Sequence, residues 1–244
     1  MASSRKVIIV GAGPVGAVLA WALRRKGLPV VLVEALAEPE IDCRAASCHP
    51  PTVAMLDELG LLQDGLEQGL VSPVFHYLDR PTSQLIARFD IREMQDVPSH
   101  PYVLQWEQYK IVKTIVPRLQ ADDGAEIRLA TRLIDIEQTA DGVKARVQTD
   151  GQAEEIIEGA YIVGCDGARS TVRKLTGFEF EGFTWPERFL KVDTYFDFTT
   201  LRPEIDNRNY FADPDEWLNL FKARGPEGDG QWRAVGPTLP EQTE

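Results

Sequence analysis

"VIIVGAGPVGAVLAWAL", Val7 to Leu23, follows the basic pair Arg5-Lys6 and carries no charge. Three readings compete for it: a secretory leader, a buried hydrophobic helix, or a strand that turns into a nucleotide-binding helix. A leader would use the basic start, the apolar run and the small residues around Ala20 to Ala22. Gly11, Gly13 and Pro14 interrupt the continuous helix that such a segment uses. The run is also short for a membrane span, which takes about 20 apolar residues.

The third reading gives each glycine a job. Lys6 to Val10, rich in β-branched residues, reads as a buried parallel strand. Gly11, Gly13 and Gly16 then form G-x-G-x-x-G, and Ala17 to Lys26 reads as a helix closed by Gly27. A second buried strand, Pro29 to Glu34, ends in an acid. Gly11 permits the tight turn, Gly13 lets a pyrophosphate approach the backbone, and Gly16 lets helix and strand pack closely. The helix start offers free N–H groups to the phosphates. Glu34 lies 18 residues after Gly16, close to the ~20 expected of an acid that binds a ribose hydroxyl. Pro14 and Val15 inside the turn, and Ala35 beside the acid, belong to the same candidate site. A carboxylate at Glu34 would repel a 2′-phosphate, so the site is expected to hold FAD or NAD rather than NADP.

The 244 residues can bury a real core, and 43% hydrophobic with 26% charged residues describes an ordinary globular protein. A net charge of −12 argues against nucleic acid or an anionic membrane as partner. No other uninterrupted apolar stretch suggests a span. Cys43, Cys48 and Cys165 contain no C-x-x-C pair, which fits free thiols in a reducing, cytoplasmic setting. His49, His76 and His100 are scattered, and no spacing resembles a metal site.

Further along, Thr52 to about Gln68 has helical spacing, and Val74–Asp79 and Gln84–Ile91 read as strands about a turn. Trp106 to Leu119 is expected to be a helix burying Ile111, Val112, Ile115, Val116 and Leu119. Glu126–Ala130 reads as a strand. Arg132–Gln138 and Val143–Thr149 form a hairpin turned by Asp141-Gly142. "IVGCDGARSTVR", Ile162 to Arg173, delivers Asp166 and Gly167 to a turn at the end of a buried strand. Ser170 is placed to cap the helix that follows. Asp166 is either a ligand-binding acid in the crevice of an α/β sheet or simply part of that cap. After Gly177 the text becomes aromatic and strand-like, with Tyr195, Tyr210, Trp217, Trp232 and Arg233 available either to a ring-binding pocket or to a sheet core.

Together these stretches resemble the group A flavin-dependent aromatic hydroxylases, the single-component monooxygenases related to 4-hydroxybenzoate hydroxylase and 3-(3-hydroxyphenyl)propionate hydroxylase. "GAGPVG" with Glu34 resembles their FAD fingerprint, and "CRAASCHPPTVAMLDELGLL" (Cys43 to Leu62) the segment whose arginine touches FAD, here Arg44 followed by Ala45. "LQWEQ" resembles the stretch that brings a glutamine, Gln105, to the ribityl chain. "GCDGARSTVR" resembles their Asp-Gly motif, in which the acid meets the ribityl chain. By its place in "ATRLID", Leu133 would lie against the adenine.

The resemblance implies an α/β, Rossmann-like FAD-binding domain over residues 1–177. A strand excursion at about 74–98 would join a β-sheet substrate domain that begins at 178–244 and is incomplete. It implies hydroxylation of a phenol-like substrate with O2, with NADH or NADPH as transient co-substrate and the flavin carrying the redox chemistry. We find no counterpart after Gly177 of the family's third, Gly-Asp motif. The expected partners are a small aromatic substrate and O2, with a homodimer or a second chain completing the FAD site as a further option. The alternatives are an incomplete, non-catalytic FAD-binding chain, or another FAD oxidoreductase such as an epoxidase or halogenase. No catalytic residue is assigned.

Overall fold

The computed structural model describes residues 6–38, 45–94, 99–228 and 230–238. The chain begins β1 (Val7–Val10), α1 (Pro14–Arg25), β2 (Val30–Val33), β3 (Ser47–Cys48), α2 (Pro50–Glu58), α3 (Leu62–Gln68) and β4 (Leu70–Ser72). It continues with β5 (Val74–Asp79), β6 (Leu85–Asp90), β7 (Val103–Gln105), α4 (Gln108–Gln120), β8 (Ala125–Arg128), β9 (Thr131–Thr139) and β10 (Gly142–Thr149). The remainder is β11 (Glu154–Gly159), β12 (Tyr161–Gly164), α5 (Thr171–Leu175), β13 (Phe189–Thr194), β14 (Arg208–Ala212), β15 (Leu218–Ala223) and β16 (Gln231–Pro237). These elements fall into two compact units, residues 1–43 with 108–182, and residues 44–107 with 183–244.

The first unit is built on a parallel sheet of order β12-β1-β2-β8. All four residues of β2 are buried, which is why its sequence is a continuous apolar run rather than an alternation. Ile8, Val10, Val31 and Val33 pack against Leu133, Val143, Ala145, Val147 and Ile157 of the antiparallel sheet β11-β10-β9. α1 begins at Pro14, three residues before the expected Ala17. Proline suits the first helical position because its missing N–H would have no partner there anyway. α4 buries the expected stripe but starts at Gln108. Trp106, expected to be helical, instead donates its backbone N–H to the Ala46 carbonyl at 2.7 Å, so the helix has not yet begun there.

The second unit holds a six-stranded sheet, β13-β16-β15-β14-β5-β6, and a small sheet, β3-β7-β4. β14 pairs with β5 in parallel, with Tyr210 matched to Tyr77 across 133 positions of sequence. The single helix expected over Thr52 to Gln68 is two. Gly60 takes φ +68°, and the N–H groups of Gly60 and Leu61 turn back to Asp57 and Leu56 at 2.8 Å each. That left-handed glycine closes α2 before α3 restarts. The core of the large sheet is Leu78, Ile205, Phe211, Leu220 and Trp232 on one face.

Candidate dinucleotide site

In the first unit, β1 continues through β2 to β8 on one side and returns as β12 on the other, so the order reverses between β12 and β1. Ligands of open α/β sheets bind outside the carboxyl ends of the strands at such a point. Three candidate residues follow those carboxyl ends: Gly11 after β1, Glu34 after β2 and Asp166 just beyond β12. The strand ends are tied together, with Cys165 N–H donating to Val10 at 2.7 Å and Gly11 N–H to Val33 at 2.7 Å.

The glycines differ in what they permit. Gly11 has φ +101°, and a Cβ there would lie 2.5 Å from the Cys165 carbonyl oxygen. A Cβ on Gly16 would fall into the Gly11 carbonyl, so only glycine lets α1 sit this close to the turn. Gly13 is the opposite case, with nothing within 4 Å of where its Cβ would be. Open space beside a bare backbone at the head of a 12-residue helix is what a pyrophosphate requires. No acidic residue occupies the first turn of α1, so no internal anion competes for that positive end. Val15 is exposed there, and Pro14 stands at the helix start.

Glu34 is braced by the turn it serves. One carboxylate oxygen accepts from Ala12 N–H at 2.7 Å and the other from Leu36 N–H at 2.9 Å. Each oxygen has two acceptor sites, so one on each remains for a ribose diol. Asp166 is committed more heavily. Oδ1 accepts from the Ser170 hydroxyl at 2.6 Å, while Oδ2 accepts from the N–H groups of Thr171 and Val172 at 2.5 and 3.1 Å. Ser170 in turn accepts from Arg173 N–H at 3.0 Å. Asp166 therefore does belong to the cap of α5, and Oδ1 alone retains an acceptor site for a ligand. Gly167 is exposed at φ +74°. Leu133 is 5% exposed within the core, so its side chain presents almost nothing to a ligand.

The second unit carries the other candidates. Arg44 lies outside the described residues. Ala45 is exposed. Gln105, at the centre of β3-β7-β4, is 1% exposed and accepts from the Ser47 hydroxyl at 2.6 Å. Its Nε2 has no partner among the described residues. A buried amide donor left unpaired is costly, and a ligand hydroxyl would satisfy it. In the first unit the open glycine backbone and the braced acid fit a dinucleotide; in the second the orphaned amide of Gln105 fits a ligand hydroxyl.

The comparisons agree. Residues 4–228 match the family model described as FAD binding domain. The chain belongs to that family. It is 31% identical over 227 residues to para-nitrophenol 4-monooxygenase of Pseudomonas sp. (strain WBC-3), covering 93% of this chain and 55% of that protein. It is 34% identical over 203 residues to 6-hydroxy-3-succinoylpyridine 3-monooxygenase HspB of Pseudomonas putida, covering 82% and 51% respectively. The crystal structure of p-nitrophenol 4-monooxygenase PnpA from Pseudomonas putida DLL-E4 superposes with a TM-score of 0.89 at 30% identity, over 100% of this chain and 60% of that one. The chain thus spans about half the length of the curated relatives it matches. The family's cofactor is FAD, in keeping with the acid at Glu34.

Of the aromatic residues considered for a ring pocket, Trp232 is core at 1% exposure, and Arg233 is held by Asp193 at 2.7 Å. Tyr195 is exposed. Tyr210 and Trp217 line a cleft. Sequence reasoning missed Ser47 as the partner of Gln105, since a lone serine in a two-residue strand carries no pattern. Among the described residues no helix is long and apolar enough to cross a membrane, and no His/Cys/Asp/Glu group could hold a metal.

Proposed function

We propose that this chain is the FAD-binding and ring-facing part of a monooxygenase that hydroxylates a phenol-like substrate with NAD(P)H and O2. The observation that carries the reading is the convergence of Gly11, Glu34 and Asp166 at the switch point of the parallel sheet, beside the open backbone of Gly13. Residues 1–177 act as the FAD-binding domain, with the sheet from 178–244 and the strands within 74–98 as the start of the substrate domain.

When bound, FAD supplies the electron transfer and oxygen activation. The chain's residues bind and orient it. Gly11, Gly13 and Gly16, with Pro14 and Val15 between them, shape the turn around the pyrophosphate. Glu34 accepts from the adenosine ribose, with Ala35 alongside. Asp166 hydrogen-bonds the ribityl chain beside Gly167, and the family resemblance assigns Gln105, Arg44 and Ala45 of the second unit to the flavin as well. The substrate is a small aromatic compound, and the protein is cytoplasmic.

The test is to load the purified chain with FAD and measure NAD(P)H oxidation with a panel of phenols, followed by mass analysis of the products. Phenol-stimulated oxidation with a product gaining one oxygen supports the reading. A chain that binds FAD yet hydroxylates none of them overturns it.

A further inference from the structure

β13 (Phe189–Thr194) is the last strand of the six-stranded sheet and pairs with β16 along its whole length. Just before it, the Arg188 carbonyl accepts from Thr238 N–H at 2.9 Å. Hydrogen bonding alternates along an antiparallel pair, so Leu190, Val192 and Thr194 bond towards β16. The backbone groups of Phe189, Lys191 and Asp193 therefore turn away from the sheet. The strand is open on both faces, with Phe189 50% exposed on one and Leu190 and Val192 58% and 45% exposed on the other. Edge strands are ordinarily blunted by proline, a bulge, short length or repelling charges. β13 runs six residues without a proline or a break in register, and its two charges are of opposite sign.

Those two charges decide what the edge fits. A second copy joining it antiparallel about a two-fold axis must set outward-bonding residues against outward-bonding residues. An axis through Lys191 opposes Lys191 to the partner's Lys191, and an axis through Asp193 opposes the two aspartates. Like charges directly opposite destabilise a strand pair. An axis through Leu190 sets Phe189 against the partner's Lys191. An axis through Val192 places Lys191 opposite the partner's Asp193 and, by symmetry, Asp193 opposite the partner's Lys191. Val192 then meets its own copy, and Leu190 packs beside the partner's Thr194. Asp193 already accepts from Arg233 at 2.7 and 3.2 Å, one bond to each oxygen, and each oxygen keeps a second acceptor site for the ammonium.

We propose that the free edge of β13 is an interface between two copies of this chain, paired antiparallel about Val192, so that their large sheets run on as one. The interface is small and half backbone, which places the association in the micromolar range. It is independent of whether FAD is bound.

Sedimentation of the full chain at micromolar concentrations should show a reversible species of twice the 27.3 kDa chain mass. Lys191→Asp and Asp193→Lys, each checked for folding by circular dichroism, put like charges opposite one another at both ends of the pair. Each alone should self-associate roughly tenfold or more weakly. Mixed together they restore two unlike pairs, so the mixture should dimerise although neither variant does. Val192→Cys supplies a second readout that spares both charges. Directly opposed residues at a non-hydrogen-bonded position have Cα atoms about 4.5 Å apart, within disulfide reach. Mild oxidation should cross-link this variant, and neither Leu190→Cys nor the unsubstituted chain. A monomeric unsubstituted chain overturns the proposal and leaves the edge to a different polypeptide. A dimer that survives either charge reversal, a mixture that stays monomeric, or a Val192→Cys chain that does not cross-link overturns it as well.

Discussion

Glu34 combines two tasks that a single substitution separates. Its carboxylate braces the N–H groups of Ala12 and Leu36 and keeps acceptor capacity for a ribose. Glu34→Ala should weaken FAD binding by ~1.5–3 kcal/mol, the range for hydrogen bonds to a charged group. Glu34→Gln, which keeps one carbonyl acceptor, should lose less. Fluorescence titration with FAD checks both, and an unchanged dissociation constant in the alanine variant removes Glu34 from the site. Cys48 gives a prediction about pH. Burial pushes its thiol from an ordinary 9.0 up to about 11. A folded-state value above the unfolded one means that the stabilisation is present below pH 9 and is lost as pH rises towards 11. Unfolding in urea should show the native chain losing up to about 3 kcal/mol relative to Cys48→Ala across that window. Parallel pH profiles would contradict it.

Among elements, the contrast between Gly13 and Gly16 is the sharpest test of what the turn is for. A methyl group at Gly13 meets nothing in the protein, and the residue's φ of −65° suits alanine. Gly13→Ala should therefore fold with an unaltered thermal midpoint while its affinity for FAD falls, since the methyl occupies the approach to the backbone. Gly16→Ala collides with the Gly11 carbonyl and should lower both. If both variants bind FAD normally, the turn is only a turn. This part of the fold was legible because everything that specifies it lies within 28 residues, from Val7 to Glu34. The helix over Thr52 to Gln68 was misread for a related reason: periodicity runs through Gly60, and only the backbone reveals the left-handed break. β3, β4 and β7, of two or three residues each, are too short for any periodicity to register.

At the scale of the whole molecule, the sequence yields what is local and conceals what is assembled from distant strands. The resemblance nominated Gln105, but nothing near it in sequence announces Ser47 as its partner. Nothing in the sequence marks Arg208, which β5, β14 and β15 surround with Phe75, Tyr210 and Phe221. The cap at Asp166 and Ser170 was visible in outline, yet how much of the carboxylate it consumes was not. The central claim, that this chain holds FAD through the turn after β1, is tested most directly by titrating the purified 244-residue protein with FAD and following the flavin spectrum. Saturable binding at one site, weakened in Gly13→Ala at an unchanged thermal midpoint, is the predicted result. A folded, colourless protein that leaves the flavin spectrum untouched would contradict it.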